Sequence, residues 1–188
     1  MRPRTTPDRR HDRTDRDATT GTGGYHHAMY VDALSFLEDE RAAWVPFEAL
    51  ATLDDEAFDR PVAAAHGWSA RDLAVHLVYW QEHALEVARE LAVGDTSPAY
   101  ERASAEWDER GGDAINAEAI ERWKDAPAAE VRARMSSVSG ELRGYLTVVP
   151  ETRWVKNAER REFFLGETLD HYEGHLGDLR AILATVDG

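Results

Sequence analysis

Cysteine is absent from the sequence. Its absence excludes disulfide bonds, thiolate metal sites and a cysteine nucleophile, and it fits a reducing compartment, so we predict a cytoplasmic location. No apolar run approaches the roughly 18 residues that a membrane-spanning helix needs. The first residues are polar, and Arg9-Arg10 lacks the apolar segment that follows in an export signal. We therefore expect no membrane partner.

Basic residues are also scarce, with 22 Lys and Arg against 36 Asp and Glu and a net charge of −14. The segment that ends at His27 holds six Arg and four Asp, which leaves 16 basic and 32 acidic residues in the remainder. Nucleic acid and anionic lipid repel so acidic a body, and we expect neither as a partner. Residues 1–28 contain hardly any apolar side chain, which predicts a disordered tail before one domain over residues 29–188.

Amphipathic helical patterns occupy most of that domain. We place helix 1 at about residues 30–53, with a kink or break at Pro46. Helix 2 begins at the N-cap Ser69, with Asp72 completing a capping box, and ends at Gly94. Helices 3 and 4 cover residues 127–149 and 165–183. The predicted core positions include Leu34, Leu37, Trp44, Phe47 and Leu50 in helix 1, Leu73, Leu77 and Trp80 in helix 2, Val131, Met135, Val138, Leu142, Tyr145 and Val149 in helix 3, and Leu165, Leu169, Tyr172, Leu176, Leu179 and Leu183 in helix 4.

Four such helices around one seam predict an all-α protein with a four-helix bundle. The short connection between helices 3 and 4 predicts antiparallel neighbours. The connection over residues 95–126 is long, is broken at Gly111-Gly112 and contains a short helix at residues 116–124, which leaves room for a crossover or a functional segment. Residues 54–67 are predicted to form a loop.

Histidines provide the main functional signal. His171 and His175 are four residues apart on the flank of the helix 4 seam, so one face presents both imidazoles. His76 has a similar offset from the seam of helix 2, and facing helices of a bundle can share a site. Three imidazoles can bind one metal ion with a position left open, the pattern of a catalytic site. Zinc, nickel and iron all accept imidazole ligands.

The spacing alone equally allows these histidines to be core-flank residues that bond to Asp, Tyr or backbone groups. If the site is real, we expect nearby side chains to line a pocket or contact the ligands: Tyr79, Trp80, His83 and Tyr172. Glu167 and Asp178 are candidates to orient a ligand imidazole, and their alternatives are a helix-start charge and a solvated face.

Residues 67–77 have the sequence Gly-Trp-Ser-Ala-Arg-Asp-Leu-Ala-Val-His-Leu, with Trp80 three positions later. This segment resembles the "GWS-x-RDL-x-x-HL" segment of the DinB-like superfamily, and the closest branch is the N-terminal domain of mycothiol-dependent maleylpyruvate isomerases. Residues 171–175, His-Tyr-Glu-Gly-His, resemble the second metal motif of that family, and Asn116 lies where relatives often have an asparagine. The resemblance covers about residues 29–186.

The resemblance implies a DinB-like bundle that holds a divalent metal, often zinc, through one residue of helix 2 and two of helix 4, here His76, His171 and His175. Family members act as thiol-dependent transferases and isomerases, and others are hydrolases. Several mycothiol-dependent relatives have a carboxylate where this chain has His171, which changes the charge at the metal. The isomerase's C-terminal domain has no counterpart in these 188 residues, so maleylpyruvate is not the expected substrate.

We therefore predict a metal-dependent small-molecule enzyme, an S-transferase or isomerase that uses a thiol such as mycothiol on an electrophilic metabolite. The alternatives are a metal-dependent hydrolase that detoxifies a reactive metabolite and a ligand-binding bundle without catalysis. Arg71 and Arg180 are candidates to hold the carboxylates of a thiol cofactor, with a solvated face as the alternative. Formation of a homodimer stays open.

Overall fold

A computed structural model describes residues 30–186 of the chain. Over this range the protein is all-α, with eight α-helices, three short 3₁₀ segments and no strand. The predicted tail lies outside the described residues. No helix between residues 30 and 186 is long and apolar enough to cross a membrane. The α-helices are α1 Ala33–Trp44, α2 Asp55–Asp59, α3 Ala70–Val93, α4 Pro98–Arg110, α5 Gly112–Trp123, α6 Ala128–Val148, α7 Ala158–Glu167 and α8 Leu169–Leu183. The 3₁₀ segments are Val45–Thr52, Ala63–Ala65 and Glu151–Arg153.

Four of these helices, α1, α3, α6 and α8, form the predicted four-helix bundle. Helix α3 packs along α6 and also contacts α8, while α1 contacts both α6 and α8. Helices α6 and α8 therefore occupy opposite corners of the bundle. The prediction that they are neighbours was wrong because α7 intervenes in the connection and itself packs against α3 and α8.

The start of α3 is fixed by its own sequence, as predicted. The Ser69 hydroxyl accepts a hydrogen bond from the backbone N–H of Asp72 at 3.1 Å, and the Asp72 carboxylate accepts one from the Ser69 N–H at 2.9 Å. This capping box satisfies two backbone donors that a helix end otherwise leaves unpaired. Most residues of α3 are buried because the helix contacts α2, α4, α5, α6, α7 and α8, and it ends before Gly94.

Helix 1 is shorter than predicted. Helix α1 ends at Trp44, and the chain continues from Val45 to Thr52 as a 3₁₀ helix with Pro46 in its first turn. Proline suits that position because it needs no N–H donor there. Leu34, a predicted core residue, is 66 % exposed. The buried stripe of α1 is instead Phe36, Glu40 and Trp44.

Helix α6 matches its predicted span, and four of its six predicted core residues are buried within it, as is Val149 just after its end. The exception is Tyr145, which is 37 % exposed, while its neighbour Leu146 is fully buried. The last turn of α6 is therefore rotated by one position relative to the predicted seam.

The two predicted loops contain more helix than expected. Residues 54–67 include α2 and the 3₁₀ turn Ala63–Ala65, and the long connection is almost entirely α4 and α5, which both pack on α3. The predicted break between them is confirmed at Gly111, whose φ of 75° favours glycine. A side chain at Gly112 would meet the far edge of the Trp107 ring at 2.7 Å, so it would displace that half-exposed ring.

Candidate metal centre

Three histidines from two helices converge on one point. The His76 Nε2 lies 2.7 Å from the His171 Nε2 and 2.9 Å from the His175 Nε2. The three ring centroids are 4.7 to 5.0 Å apart. Among residues 30–186 this is the one group of three potential ligands that is close enough to hold a metal ion. The structure thus brings together the three side chains that the sequence predicted to meet.

Helix α3 supplies His76 from the interior of the bundle. Its side chain is 2 % exposed, with Val75 and Leu77 buried on either side. Burial, and then the charge on His175, lower the pKa of His76 to about 3. The imidazole is therefore neutral at physiological pH, which is the form that coordinates metal ions.

Helix α8 supplies His171 and His175, which are both half-buried. This helix is not the continuous 165–183 segment that was predicted, because the chain breaks at Thr168, with φ −127° and ψ −95°. The buried Thr168 hydroxyl donates a hydrogen bond to the Phe164 carbonyl at 2.5 Å. The break lets α8 set the direction of its two histidines independently of α7.

Asp178 orients one of the ligand candidates, as the sequence suggested. Its Oδ2 lies 2.9 Å from the His175 Nδ1. A carboxylate only accepts hydrogen bonds, so Nδ1 carries the proton and the Nε2 lone pair faces the other two histidines. Glu167, the other candidate, is the last residue of α7 and is half-buried.

Trp68 packs against two of the three histidines, His76 and His175, a contact that the sequence analysis did not assign. Its ring stacks on His175 at 5.7 Å between centroids and lies 5.0 Å from His76. The turn before it has two left-handed residues, His66 with φ 57° and Gly67 with φ 85°. That turn closes with a hydrogen bond from the Trp68 N–H to the Ala65 carbonyl at 2.8 Å. The sequence indicated this turn through the pair Gly67-Trp68, which directly precedes the N-cap Ser69.

A second aromatic wall lies on the His171 side. The Trp80 ring is 6.1 Å from His171 and 5.7 Å from Trp107 of α4. Trp80 is held in place by a hydrogen bond from its Nε1 to the Asn116 Oδ1 at 3.0 Å. Asn116 thus connects α5 to the site, which explains why an asparagine is useful in the long connection.

Two predicted pocket residues extend this wall. The Tyr79 ring contacts Trp80 at 5.3 Å and His83 at 4.5 Å. Burial raises the pKa of Tyr79, so its hydroxyl stays protonated and can donate a hydrogen bond at neutral pH. A cavity of about 110 Å³ between α3 and α4 is lined by His83, Glu86, Ala99, Arg102, Ala103 and Glu106.

Three other predicted site residues lie elsewhere. Tyr172, expected to line the pocket, is 1 % exposed and packs in the core against Trp44 and Phe47. The Arg71 guanidinium, expected to bind a cofactor, bonds to Asp59 at 2.6 Å and to the Ala126 carbonyl at 2.7 Å, which ties the start of α3 to its surroundings. Arg180 is exposed on α8.

The donor set fits a divalent cation. Three Nε2 atoms that face one another need positive charge between them, because their lone pairs repel. One proton can join only one pair of nitrogens, whereas a metal ion accepts all three lone pairs at once. Burial opposes protonation of His76, and the proton on the His175 Nδ1 leaves Nε2 free to coordinate. A three-imidazole set also leaves a coordination position open.

The geometry explains most of the segment at residues 67–77. Gly67 provides the left-handed turn, Trp68 covers the histidines, and Ser69 with Asp72 caps α3. Leu73 and Leu77 are fully buried in the bundle core. His76 is the single member of this segment that points a nitrogen at the other two histidines.

Comparison with known proteins identifies the family of the chain. No curated protein and no solved structure matches the chain at a significant level. A family model does match, over residues 37–179, which is well over half of the chain and includes all three histidines. The chain therefore belongs to the family of the mycothiol maleylpyruvate isomerase N-terminal domain.

Proposed function

We propose that this protein is a metal-dependent enzyme that joins the sulfur of a low-molecular-weight thiol, mycothiol or a similar compound, to an electrophilic metabolite, as a transferase or isomerase. The observation that carries the proposal is the convergence of three imidazoles. The Nε2 atoms of His171 and His175 lie 2.7 and 2.9 Å from the Nε2 of His76. Membership of a family named for mycothiol supports the choice of thiol. The cytoplasmic location stays a prediction.

The cation would be held by the three imidazoles, and zinc is the first candidate because it accepts nitrogen ligands in open, four-coordinate sites. Nickel and iron are the alternatives that the ligand type also allows. A bound divalent cation supplies Lewis acidity, which lowers the pKa of a thiol or water at its open position. Three neutral ligands leave the full charge of the cation available to stabilise an anionic sulfur, more than a set with one carboxylate would.

The surrounding side chains would prepare that position. Asp178 keeps the proton of His175 on Nδ1, and so directs Nε2 inward. Trp68 and Trp80 flank the trio and exclude water from two sides, which strengthens electrostatic interactions at the centre. Tyr79 is a candidate donor to an oxygen of the electrophile. Arg180 remains a candidate for a cofactor carboxylate, whereas the hydrogen bonds of Arg71 to Asp59 and Ala126 occupy its guanidinium.

Metal content tests the site directly. Elemental analysis after zinc titration and gel filtration should find about one zinc per chain in the wild type, as expected for a single three-histidine site. The variants His76→Ala and His175→Ala should each lose it, because two imidazoles hold the ion far more weakly. His83→Ala is the matched control, since it removes a histidine from α3 that lies outside the trio. A wild type that retains none of zinc, nickel and iron after titration with each would refute the metal site.

Thiol-dependent conversion of an electrophile tests the reaction. The zinc-loaded protein with added thiol should accelerate this conversion, with loss of the thiol if it is a transferase and with the thiol regenerated if it is an isomerase. The chelated protein should do neither. Turnover without added thiol would instead identify the hydrolase predicted as an alternative. Zinc binding without either reaction, over a panel of electrophiles and esters, would favour a ligand-binding bundle.

A further inference from the structure

A buried polar network lies in the bundle core next to the three histidines. The Tyr172 hydroxyl donates a hydrogen bond to the Glu40 Oε1 at 2.9 Å and accepts one from the Gln81 Nε2 at 2.6 Å. Arg143 donates to the other Glu40 oxygen at 2.8 Å and to the Ser139 hydroxyl at 3.2 Å. Both oxygens of the carboxylate and the tyrosine hydroxyl are therefore committed to fixed partners.

This network connects all four helices of the bundle. Glu40 is on α1, Gln81 on α3, Arg143 on α6 and Tyr172 on α8. Glu40 and Gln81 are fully buried and Tyr172 is 1 % exposed. The network therefore fixes how the four helices are rotated and shifted relative to one another at this level of the core.

The position of Tyr172 makes this constraint relevant to the histidines. It directly follows His171 and precedes His175 by three residues, so its direction sets the rotation of α8 about its axis. Gln81 lies five residues after His76 on α3. The bond between Gln81 and Tyr172 is thus a second link between the two helices that supply the ligands, beside the histidines themselves.

Stability alone does not explain a charged pair at this place. The buried Glu40 carboxylate loses its hydration and the partly buried Arg143 guanidinium loses part of its own, and well-packed apolar residues are often at least as stabilising. An all-apolar seam would fix the rotation of α8 through side-chain packing alone, because the hydrophobic effect itself has no direction. Hydrogen bonds do have a direction. Two of them join the Tyr172 hydroxyl to Gln81 and Glu40, and a third joins Arg143 to Glu40.

We propose that Tyr172, held by Glu40 and Gln81, is a positioning residue that sets the rotation of α8 so that His171 and His175 face His76. This inference rests on the proposed metal site. Tyr172 does not touch the metal or the substrate, and it acts through the helix on which both ligands lie. The network thereby prepares the three-histidine site before a cation arrives, which lowers the ordering cost of binding.

The variant Tyr172→Phe tests this role because it removes the hydroxyl and keeps the ring in its core packing. We expect the zinc affinity, measured by competition with a chromophoric chelator, to fall roughly 10-fold or more, as for other residues that orient metal ligands indirectly. The visible spectrum of the cobalt-substituted variant should broaden, because the ligands adopt more than one arrangement. The urea unfolding of the metal-free variant reports any loss of stability separately.

Val131→Ala is the matched control. It removes buried apolar volume from α6, which packs mainly along α3, so it should lower stability but leave zinc affinity and the cobalt spectrum unchanged. Zinc affinity of Tyr172→Phe within twofold of the wild type would overturn the positioning role. Failure of zinc, nickel and iron alike to bind the wild type would instead overturn the proposed site, so the two failures are distinguishable.

Glu40→Gln provides a graded second test in case the first variant is poorly folded. Glutamine keeps an oxygen that accepts the Tyr172 hydrogen bond but removes the charge that Arg143 pairs with. The loss of zinc affinity should therefore be smaller than in Tyr172→Phe. Equal or larger weakening in Glu40→Gln would show that the charge of the network, and not the direction of Tyr172, controls the ligands, and would overturn the inference.

Discussion

Helices α3 and α8 supply the candidate metal ligands in very different ways. Helix α3 has 24 residues, a complete capping box and fourteen buried side chains, and it contacts six of the other seven α-helices. Helix α8 has 15 residues, begins at a backbone break without a side-chain cap, and buries three side chains. The core fixes His76, the single candidate ligand of α3, whereas His171 and His175, the two candidates of α8, depend on a few specific contacts.

This difference shows where the site can adjust. His76 cannot move without disturbing the bundle, because its neighbours Val75 and Leu77 are buried. His171 and His175 are half-buried on a helix whose direction is set by Thr168 at its start, Tyr172 in the core and Asp178 on its flank. We therefore expect α3 to act as the fixed side of the site and α8 as its adjustable side. The following predictions test that division.

The largest expected difference is in core truncations. Leu77→Ala on α3 removes a fully buried side chain and should cost about 2–5 kcal/mol in the free energy of unfolding. Leu176→Ala on α8 removes a half-buried leucine one position after His175 and should cost about half as much. Urea unfolding of the metal-free proteins measures both changes. Equal losses of unfolding free energy in Leu77→Ala and Leu176→Ala would mean that α8 is as much a part of the core as α3.

The same contrast explains how much of the site the sequence could predict. The three histidines were recognisable because α3 and α8 keep helical periodicity around them, so their offsets from the apolar seams were correct. The break at Thr168 carries no proline or other strong signal, and the spacing from Leu165 to Leu169 is compatible with one continuous helix. The rotation of α8 is set by tertiary contacts that no local pattern encodes.

Helix 1 shows a second limit of the sequence pattern. Its buried stripe, Phe36, Glu40 and Trp44, has regular spacing of four, but the middle member is charged. A search for apolar periodicity excludes Glu40 and selects Leu34 instead, which is largely exposed. Only the partners of Glu40, Arg143 and Tyr172, make its burial favourable, and they lie more than one hundred residues away.

Metal binding should have the next largest effect. At a free zinc concentration about 100 times the dissociation constant, the folded state gains about 2.7 kcal/mol. In the metal-free protein, amide hydrogen exchange should be faster in α8 than in α3, and zinc should slow exchange in α8 up to about 100-fold, because opening α8 releases two ligands.

Helices α4 and α5 provide the internal control, because they contribute no ligand to the trio. Their amide exchange should change little on zinc addition. Exchange in α8 that is already as slow as in α3 without metal would contradict the division into a fixed and an adjustable side.

Substitutions at the starts of α3 and α8 should have a smaller effect and should each lower the free energy of unfolding by about 1 kcal/mol. Ser69→Ala removes the cap of α3, and Thr168→Val removes the buried hydrogen bond to the Phe164 carbonyl while keeping the side-chain shape. Only Thr168→Val should also weaken zinc binding. The core fixes His76, whereas the break at Thr168 sets the direction of His171 and His175. Chelator competition and urea unfolding on the same samples separate the two effects. Weaker zinc binding in Ser69→Ala would show that α3 is not the fixed side.

The smallest expected effect concerns pH and the buried carboxylate that anchors α8. Burial raises the pKa of Glu40, against the opposing effect of Arg143 and Tyr172. Between the ordinary carboxyl pKa and this raised value, the native state binds more protons than the unfolded state. The resulting stabilisation is complete below the ordinary pKa and is lost as the pH rises through the raised one. For one titrating group, the free energy of unfolding changes by no more than about 1.4 kcal/mol per pH unit.

Glu40→Gln removes this titration, so its urea unfolding between pH 4 and 7 should depend less on pH than that of the wild type. The metal-free proteins must be compared, because imidazole protonation makes metal binding itself pH-dependent. Glu38→Gln, which removes an exposed carboxylate from the same helix, is the matched control and should retain the wild-type slope. If the wild type instead gains stability over Glu40→Gln as the pH rises, the ion pair with Arg143 outweighs burial. Glu40 would then stabilise the fold through its charge pair with Arg143. Its burial would not be an energetic cost that is offset only by the orientation of Tyr172.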